Sequence, residues 1–217
     1  MFDFKNPFKK EEKIPEKRKK PEDYIFNPLE VYCGDFVEVT TVEDTFTCNV
    51  SEIIEHSRYA GGNLFKHTDY KLEDTGKIWD LRLNSKINFS EVKSPQDCDM
   101  LLMKIFYEGE FDEGIQDAAK CKEFIKTNED GSQIIFEALK SGKEGWNSSL
   151  KIIKSDGSED RRNIKYWDFF READIKLNEL FSGQVFLFVE IDQSDGFITM
   201  WEGHQILNSD IKTYHKS

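Results

Sequence analysis

HTDYKLEDTGKIWDLRLN, residues 67–84, contains two runs in which apolar and polar side chains alternate. Alternation with a period of two predicts β-strands that each bury one face. The apolar side of the two runs, with the preceding Leu64, carries Leu64, Thr68, Tyr70, Leu72, Trp79, Leu81 and Leu83. We therefore expect two neighbouring strands that pair and turn these side chains toward a common core.

The charged side chains of the same stretch select the register of the pair. With Leu72 opposite Trp79, the cross-strand pairs on the polar face are Lys71 with Asp80 and Asp69 with Arg82. A slip by two residues would set Asp69 against Asp80, and like charges directly opposite each other cost up to about 1 kcal/mol. The first register is therefore the predicted one.

The polar face also contains the candidate catalytic residues His67, Asp69 and Arg82, because His67 shares a strand face with Asp69 and the register adds Arg82. An imidazole, a carboxylate and a guanidinium on one face can bind an anion or perform general acid–base catalysis. The plainer interpretation is a solvated sheet face with an exposed ion pair, which contributes at most about 1 kcal/mol. We favour the solvated face.

The composition predicts a core of few, large side chains. The chain has 217 residues, of which 38% are hydrophobic and 13% aromatic, including 18 Phe. A chain of this length can bury enough surface to fold without metals or disulfides. Aromatic side chains bury about 150–250 Å² each, so they can supply much of the core.

The cysteines predict no metal site, and nothing in the sequence predicts a cofactor. Cys33, Cys48, Cys98 and Cys121 are separated by at least 15 positions, which differs from the paired spacing of zinc and redox motifs. Asp97-Cys98-Asp99 offers three potential ligands, but neighbouring strand residues point to opposite faces, so we expect a structural turn there. Scattered free thiols are typical of a reducing compartment, and we expect a cytoplasmic protein.

Charge is segregated along the chain. Residues 1–21 contain eight Lys or Arg and four Asp or Glu, a net charge of +4, whereas residues 22–217 contain 22 basic and 38 acidic side chains, a net charge of −16. Between Lys9 and Lys20 only Ile14 is apolar, so burial cannot offset the entropy of ordering this segment. We predict a disordered basic arm over residues 1–23 and a single acidic domain over residues 24–217.

The arm has three possible roles. Its candidate binding residues are Phe2, Phe4, Phe8, Lys9, Lys10, Lys17, Arg18, Lys19 and Lys20. The basic side chains can attract an anionic membrane surface while the phenylalanines insert at the interface, as in a peripheral tether. Contact with nucleic acid is disfavoured because the acidic body repels phosphate. The simplest role, a flexible solubilising tail, is the one that we favour.

The remaining sequence predicts a β-dominated α+β fold, with an antiparallel or mixed sheet built from hairpins and two or three short helices packed on it. The predicted strands are 36–42, 46–50, 64–72, 78–84, 100–107, 150–154, 163–170, 185–191 and 197–201. The predicted helices cover 112–126, 133–141 and 174–181, although Ile134-Ile135-Phe136 is β-prone and leaves a strand possible in the second. Aromatic residues within 166–170 are expected in the core rather than at an interface.

No transmembrane segment is predicted, since the longest apolar run, Val185–Val189, ends at Glu190. The absence of catalytic motifs and the charge of the body favour a non-enzymatic intracellular interaction protein, an adaptor or a neutralising, immunity-like protein, whose acidic surface binds a basic protein partner. One alternative is a peripheral membrane-associated accessory protein tethered by the arm. The other is an enzyme that uses His67, Asp69 and Arg82.

Overall fold

The fold is taken from a computed structural model, which describes residues 30–41, 44–60, 63–74, 77–85, 98–139, 143–172 and 184–215. The strands are β1 (Phe36–Thr40), β2 (Thr45–Ala60), β3 (Asn63–Asp74), β4 (Lys77–Ser85), β5 (Cys98–Gly109), β6 (Glu123–Thr127), β7 (Gln133–Ala138), β8 (Trp146–Lys154), β9 (Glu159–Glu172), β10 (Gln184–Asp192), β11 (Ile198–Ile206) and β12 (Ile211–Tyr214). One α-helix, α1 (Glu113–Ala119), and a 3₁₀ turn (Asn208–Asp210) complete the elements of the described ranges.

Eight of these strands close into an antiparallel barrel. Their order is β2-β3-β4-β5-β11-β10-β9-β8, and β8 returns to pair with β2. The closing ladder places Ile54 opposite Ile152 and Ser57 opposite Ser149. Closure removes the two edges that these eight strands would otherwise expose.

The predicted α+β fold built from hairpins with two or three helices is therefore wrong. The helix predicted over 112–126 ends at Ala119 and gives way to β6, and the helix predicted over 133–141 is strand β7. Both segments lie opposite each other in one antiparallel ladder, and this pairing with a neighbouring strand overrides the local helical pattern. The helix predicted over 174–181 lies outside the described residues.

Large side chains fill the barrel interior. Alternation along the strands turns one cluster of apolar residues inward: Leu101, Met103, Leu150, Ile152, Ile164, Tyr166, Phe188 and Trp201, with Ile54, Ile105, Trp146 and Phe186 partly buried against it. An eight-stranded barrel is just wide enough for its own side chains to fill. The aromatic residues within 166–170 are buried on both sides of the barrel wall: Tyr166 faces the interior, whereas Trp167 and Phe169 are buried on the outer side.

Two outer layers cover parts of the barrel's outer face. The first consists of β1, β12 and the N-terminal part of β2, and its core cluster includes Val37, Val39 and Cys48 against Tyr70 and Leu72. The second consists of α1, β6 and β7, which pack on the outer side of β9, β10 and β11. Strands β3 and β4 therefore bury side chains on both faces.

The register predicted for β3 and β4 is confirmed. Leu72 lies opposite Trp79, Tyr70 opposite Leu81 and Thr68 opposite Leu83. On the other face Lys71 lies opposite Asp80 and Asp69 opposite Arg82. The outward-facing apolar side chains Tyr70, Leu72 and Leu81 contribute to the first outer core, as the pattern predicts, although Leu64 remains exposed.

The strand that closes the barrel provides a test of closure. Ile152 of β8 is buried in the interior, whereas its neighbour Ile153 is only partly buried on the other face. Ile152→Ala removes buried methyl groups and leaves a cavity, so we expect a loss of about 2–5 kcal/mol in the free energy of unfolding. Ile153→Ala is the matched control and should cost clearly less in the same urea titration. Equal losses would contradict the inward orientation of Ile152.

A second test concerns the outer core. Burial, reinforced by Asp74, raises the pKa of the Cys48 thiol to about 11, and Cys121 is exposed. Because the thiolate is the reacting species, Cys48 should resist iodoacetamide at pH 8 until the protein is denatured. Cys121 should be alkylated in the native state. Peptide mass spectrometry distinguishes the two sites, and rapid native labelling of Cys48 would show that the first outer layer is not packed as described.

Candidate functional site

A buried ion pair links β3 to β4 inside the barrel. Asp69 and Arg82 are each 1% exposed. The guanidinium donates from Nε to Oδ1 of Asp69 at 3.0 Å and from Nη2 to Oδ2 at 2.8 Å. This forked arrangement matches the planar guanidinium to the carboxylate and gives the strong, geometrically specific form of the interaction.

A second carboxylate reaches the same guanidinium from across the lumen. Arg82 Nη2 also donates to Oε1 of Glu190 on β10 at 2.9 Å, and the indole Nε1 of Trp201 donates to Oε2 of Glu190 at 3.1 Å. The centre of the guanidinium lies 4.4 Å from the centroid of the Phe188 ring, a cation–π contact. Arg82 is therefore fixed between two strands that are not neighbours in the barrel order.

Two histidines lie against Asp69. The rings of His56 on β2 and His67 on β3 stack with centroids 4.0 Å apart. His56 Nε2 lies 2.8 Å from Asp69 Oδ2, and His67 Nε2 lies 4.0 Å from Asp69 Oδ1. His56 Nε2 therefore faces the carboxylate at ion-pair distance, whereas Nδ1 of His56 and Nε2 of His67 lack a hydrogen-bond partner among the described residues.

The charges of the cluster shift each other's pKa values. Burial alone would raise the pKa of Asp69, but Arg82 and then His56 outweigh burial and hold it far below the ordinary range. Burial, together with the neighbouring His56, lowers the pKa of His67. At neutral pH Asp69 is therefore an anion, and His67 is a neutral imidazole.

Asp80 differs from Asp69, although both carboxyl groups are buried. Burial and the negative charge of Asp69 raise the pKa of Asp80 well above its usual value. The two acids thus have opposite tendencies, Asp69 to stay charged and Asp80 to hold a proton. Paired carboxyl groups with divergent pKa values can serve as acid and base, but they also arise in purely structural ion networks.

The cluster lies apart from the surface cleft. An open cleft of about 640 Å³ lies over the ends of β2, β3, β8 and β9. It is lined by Ser57, Arg58, Tyr59, Leu64, Lys66, Asn147, Ser148, Ser149, Asn163 and Gln193. None of these residues is a member of the ion cluster, but Arg58 donates to Tyr166, whose ring centroid lies 6.5 Å from that of His67.

The structure does bring His67, Asp69 and Arg82 together, but in the barrel interior. The favoured solvated sheet face is wrong, because the polar face of β3 and β4 points into the closed barrel. His56 and Glu190 were not predicted. The sequence does indicate a role for Glu190, because this residue interrupts the apolar run of β10. A charge in a strand that is buried on both faces requires a partner.

The other candidates predicted from the sequence lie where the structure does not test them. The arm residues 1–23 fall outside the described part of the chain, as do Asp97 and the side chains of Cys98 and Asp99. The catalytic role of His67, Asp69 and Arg82 and the membrane role of the arm stay predictions. Among the described residues, no helix combines the length and apolar character needed to cross a membrane.

A second candidate site is the outer surface of α1, β6 and β7, which we call the acidic outer layer and define as residues 108–139. It contains nine acidic residues, all exposed, and only three lysines. The acidic residues are Glu108, Glu110, Asp112, Glu113, Asp117, Glu123, Glu129, Asp130 and Glu137. Phe111, Ile125, Ile135 and Leu139 are exposed in the same segment. The layer therefore combines negative charge with unburied apolar area.

The β6–β7 hairpin orders these features on one face. Glu123 lies directly opposite Glu137, and Ile125 lies directly opposite Ile135. The two isoleucines are 51% and 52% exposed, and both glutamates are exposed. Phe124 and Phe136, on the other face, are buried against the barrel. Like charges directly opposite each other destabilise a strand pair. A cation bound at this face would therefore reduce the repulsion between Glu123 and Glu137.

The ion pair of the interior provides a test by substitution. Arg82→Met leaves Asp69 as an uncompensated buried charge, so we expect a loss of about 3–5 kcal/mol in the free energy of unfolding. Arg162→Met is the matched control, because Arg162 is 51% exposed and contacts Asp160 at 3.3 Å and Asp192 at 3.8 Å; it should cost at most about 1 kcal/mol. Comparable losses in urea denaturation at pH 7 would show that the Arg82 pair is not a buried one.

The chain matches no known protein-family model, no curated protein and no solved structure. Assignment of a function therefore depends on the two sites described above, the buried ion cluster and the acidic outer layer.

Proposed function

We propose that the protein is a non-enzymatic interaction protein that binds a basic protein partner through the acidic outer layer. The observation that carries the proposal is the exposed face of the β6–β7 hairpin, where an opposed pair of glutamates adjoins an opposed pair of isoleucines. Apolar contact supplies binding energy, and the carboxylates select a partner with positive charge.

Electrostatics supports a basic partner in particular. The exposed acidic residues of the layer outnumber its lysines by nine to three. Two of these lysines are already engaged, Lys120 with Asp117 at 2.9 Å and Lys126 with Glu202. A surface with this imbalance attracts cationic partners and accelerates their encounter at low ionic strength.

The edge of the sheet supports a partner that binds as an extended strand. Strand β6 ends the sheet order and pairs with β7 along one side, and no described strand pairs with its other side. An open edge can accept a further strand through main-chain hydrogen bonds, while alternate side chains provide specificity. Glu123, Ile125 and Thr127 point to one face, so the matching strand would alternate basic and apolar side chains.

A peptide pair tests the proposal. A seven-residue peptide that alternates lysine and valine should bind more tightly than a peptide of the same composition in which the lysines and valines form separate blocks. The double variant Glu123→Gln/Glu137→Gln should bind the alternating peptide about 2- to 30-fold more weakly, as expected from about 0.2–1 kcal/mol for each exposed ion pair. Fluorescence anisotropy at low salt measures both differences.

The control removes the same amount of charge elsewhere. Glu55 and Glu144 are exposed and lie outside the acidic outer layer, so Glu55→Gln/Glu144→Gln should leave the affinity within twofold of the unmodified protein. Equal weakening by the two double variants would indicate attraction to the net charge alone. Equal binding of the two peptides would contradict an extended strand as the partner.

A further inference from the structure

The interior cluster contains a set of side chains that is unusual for a purely structural ion network. His56, His67 and Asp69 each offer a ligand atom, and these atoms lie within 4.8 Å of one another. We propose that these three residues form a binding site for a divalent transition-metal ion of the Zn²⁺ class. The site is separate from the acidic outer layer, so it does not depend on the proposed function.

The donor types fit such an ion. Two imidazoles and one carboxylate are a ligand set that zinc accepts, with three protein ligands and a fourth position open to water. Ca²⁺ and Mg²⁺ prefer sites made wholly of oxygen, which excludes them here. Bonds of about 2.0–2.1 Å place neighbouring ligand atoms on the order of 3.3 Å apart. The ligand atoms of this set lie between 2.8 Å (His56 Nε2 to Asp69 Oδ2) and at most 4.8 Å apart, so binding requires shifts of roughly 1.5 Å or less.

The unpartnered ring nitrogens are the second observation. His56 is 3% exposed, and its Nδ1, like Nε2 of His67, has no hydrogen-bond partner among the described residues, while its Nε2 contacts Asp69 Oδ2 at 2.8 Å. A buried polar atom without a partner costs about 1–3 kcal/mol. One ion bound by both rings and by Asp69 would satisfy a nitrogen on each histidine at once.

Arg82 does not block this site. A carboxylate has about four lone-pair positions, and Arg82 makes three contacts to Asp69: Nε to Oδ1 at 3.0 Å, Nε to Oδ2 at 3.2 Å and Nη2 to Oδ2 at 2.8 Å. Both carboxylate oxygens also lie near the imidazoles, Oδ2 at 2.8 Å from His56 Nε2 and Oδ1 at 4.0 Å from His67 Nε2. Arg82 then acts as an outer partner that orients the ligating carboxylate, and Glu190 balances the charge of Arg82 from the other side.

Metal titration of the full chain tests the proposal. After dialysis against a chelator, Co²⁺ should bind with a stoichiometry of one and give the visible absorption of a four- or five-coordinate ion, and Zn²⁺ should displace it. His67→Gln should raise the Zn²⁺ dissociation constant at least about 100-fold, beyond the 10- to 100-fold effect of losing an outer partner. His215→Gln is the matched control, because His215 lies directly after β12 and beside Asp35, and this variant should bind normally.

A second measurement avoids any dependence on a variant's folding. Zn²⁺ added to the ¹⁵N-labelled native protein should shift the ring nitrogen signals of His56 and His67 while those of His204 and His215 stay in place. Absence of stoichiometric Co²⁺ or Zn²⁺ binding would overturn the proposal and leave ordered water as the partner of these nitrogens. Shifts confined to His204 or His215, or normal Zn²⁺ binding by a folded His67→Gln protein, would also overturn it.

Discussion

The barrel interior depends on the buried charge of Arg82. Removing a guanidinium from water costs several kcal/mol, and only close, well-oriented anions offset that cost. Asp69 supplies a forked contact from the adjacent strand, and Glu190 supplies a second contact from β10 across the lumen. Because both carboxylates must be in place at the same time, the ion network constrains the relative positions of β3, β4 and β10. A barrel filled only with apolar side chains would lack this directional constraint.

Aromatic side chains explain how a chain with 38% hydrophobic residues builds three buried layers. The barrel interior and the two outer cores each need large side chains, and aromatic residues supply many of them: Trp167, Phe169 and Phe136 in one outer core, and Tyr166, Phe188 and Trp201 in the interior. The polar cluster occupies the rest of the lumen near β3 and β4. Trp201 and Phe188 serve both roles, since they pack in the interior and also contact Glu190 and Arg82.

The sequence was sufficient for local pairing but not for closure. Cross-strand charge complementarity specified the register of β3 and β4, because Asp69 and Arg82 or Lys71 and Asp80 contact each other between adjacent strands. It could not show that the polar face points into a lumen, since that depends on the ladder between β2 and β8, whose paired residues are about a hundred positions apart. The sequence therefore places His67, Asp69 and Arg82 together correctly but predicts that they face solvent.

The helix prediction over 112–126 is wrong for a related reason. Beyond Ala119 the sequence is compatible with both a helical and a strand periodicity. The strand forms because Phe124 can then face the barrel with Phe136 opposite it.

The negative charge of the acidic outer layer would favour a basic partner over a second copy of the same chain at the open edge of β6. An open edge next to exposed isoleucines would ordinarily invite pairing between two copies of the same chain. Pairing of two copies would bring two negatively charged edges together, and the like charge of the Glu123 side chains would oppose association. A basic strand meets no such penalty and relieves the repulsion already present between Glu123 and Glu137. The negative charge at this edge would therefore favour a positively charged partner, whereas the pair of Ile125 and Ile135 would offer apolar contact area to a partner of either charge.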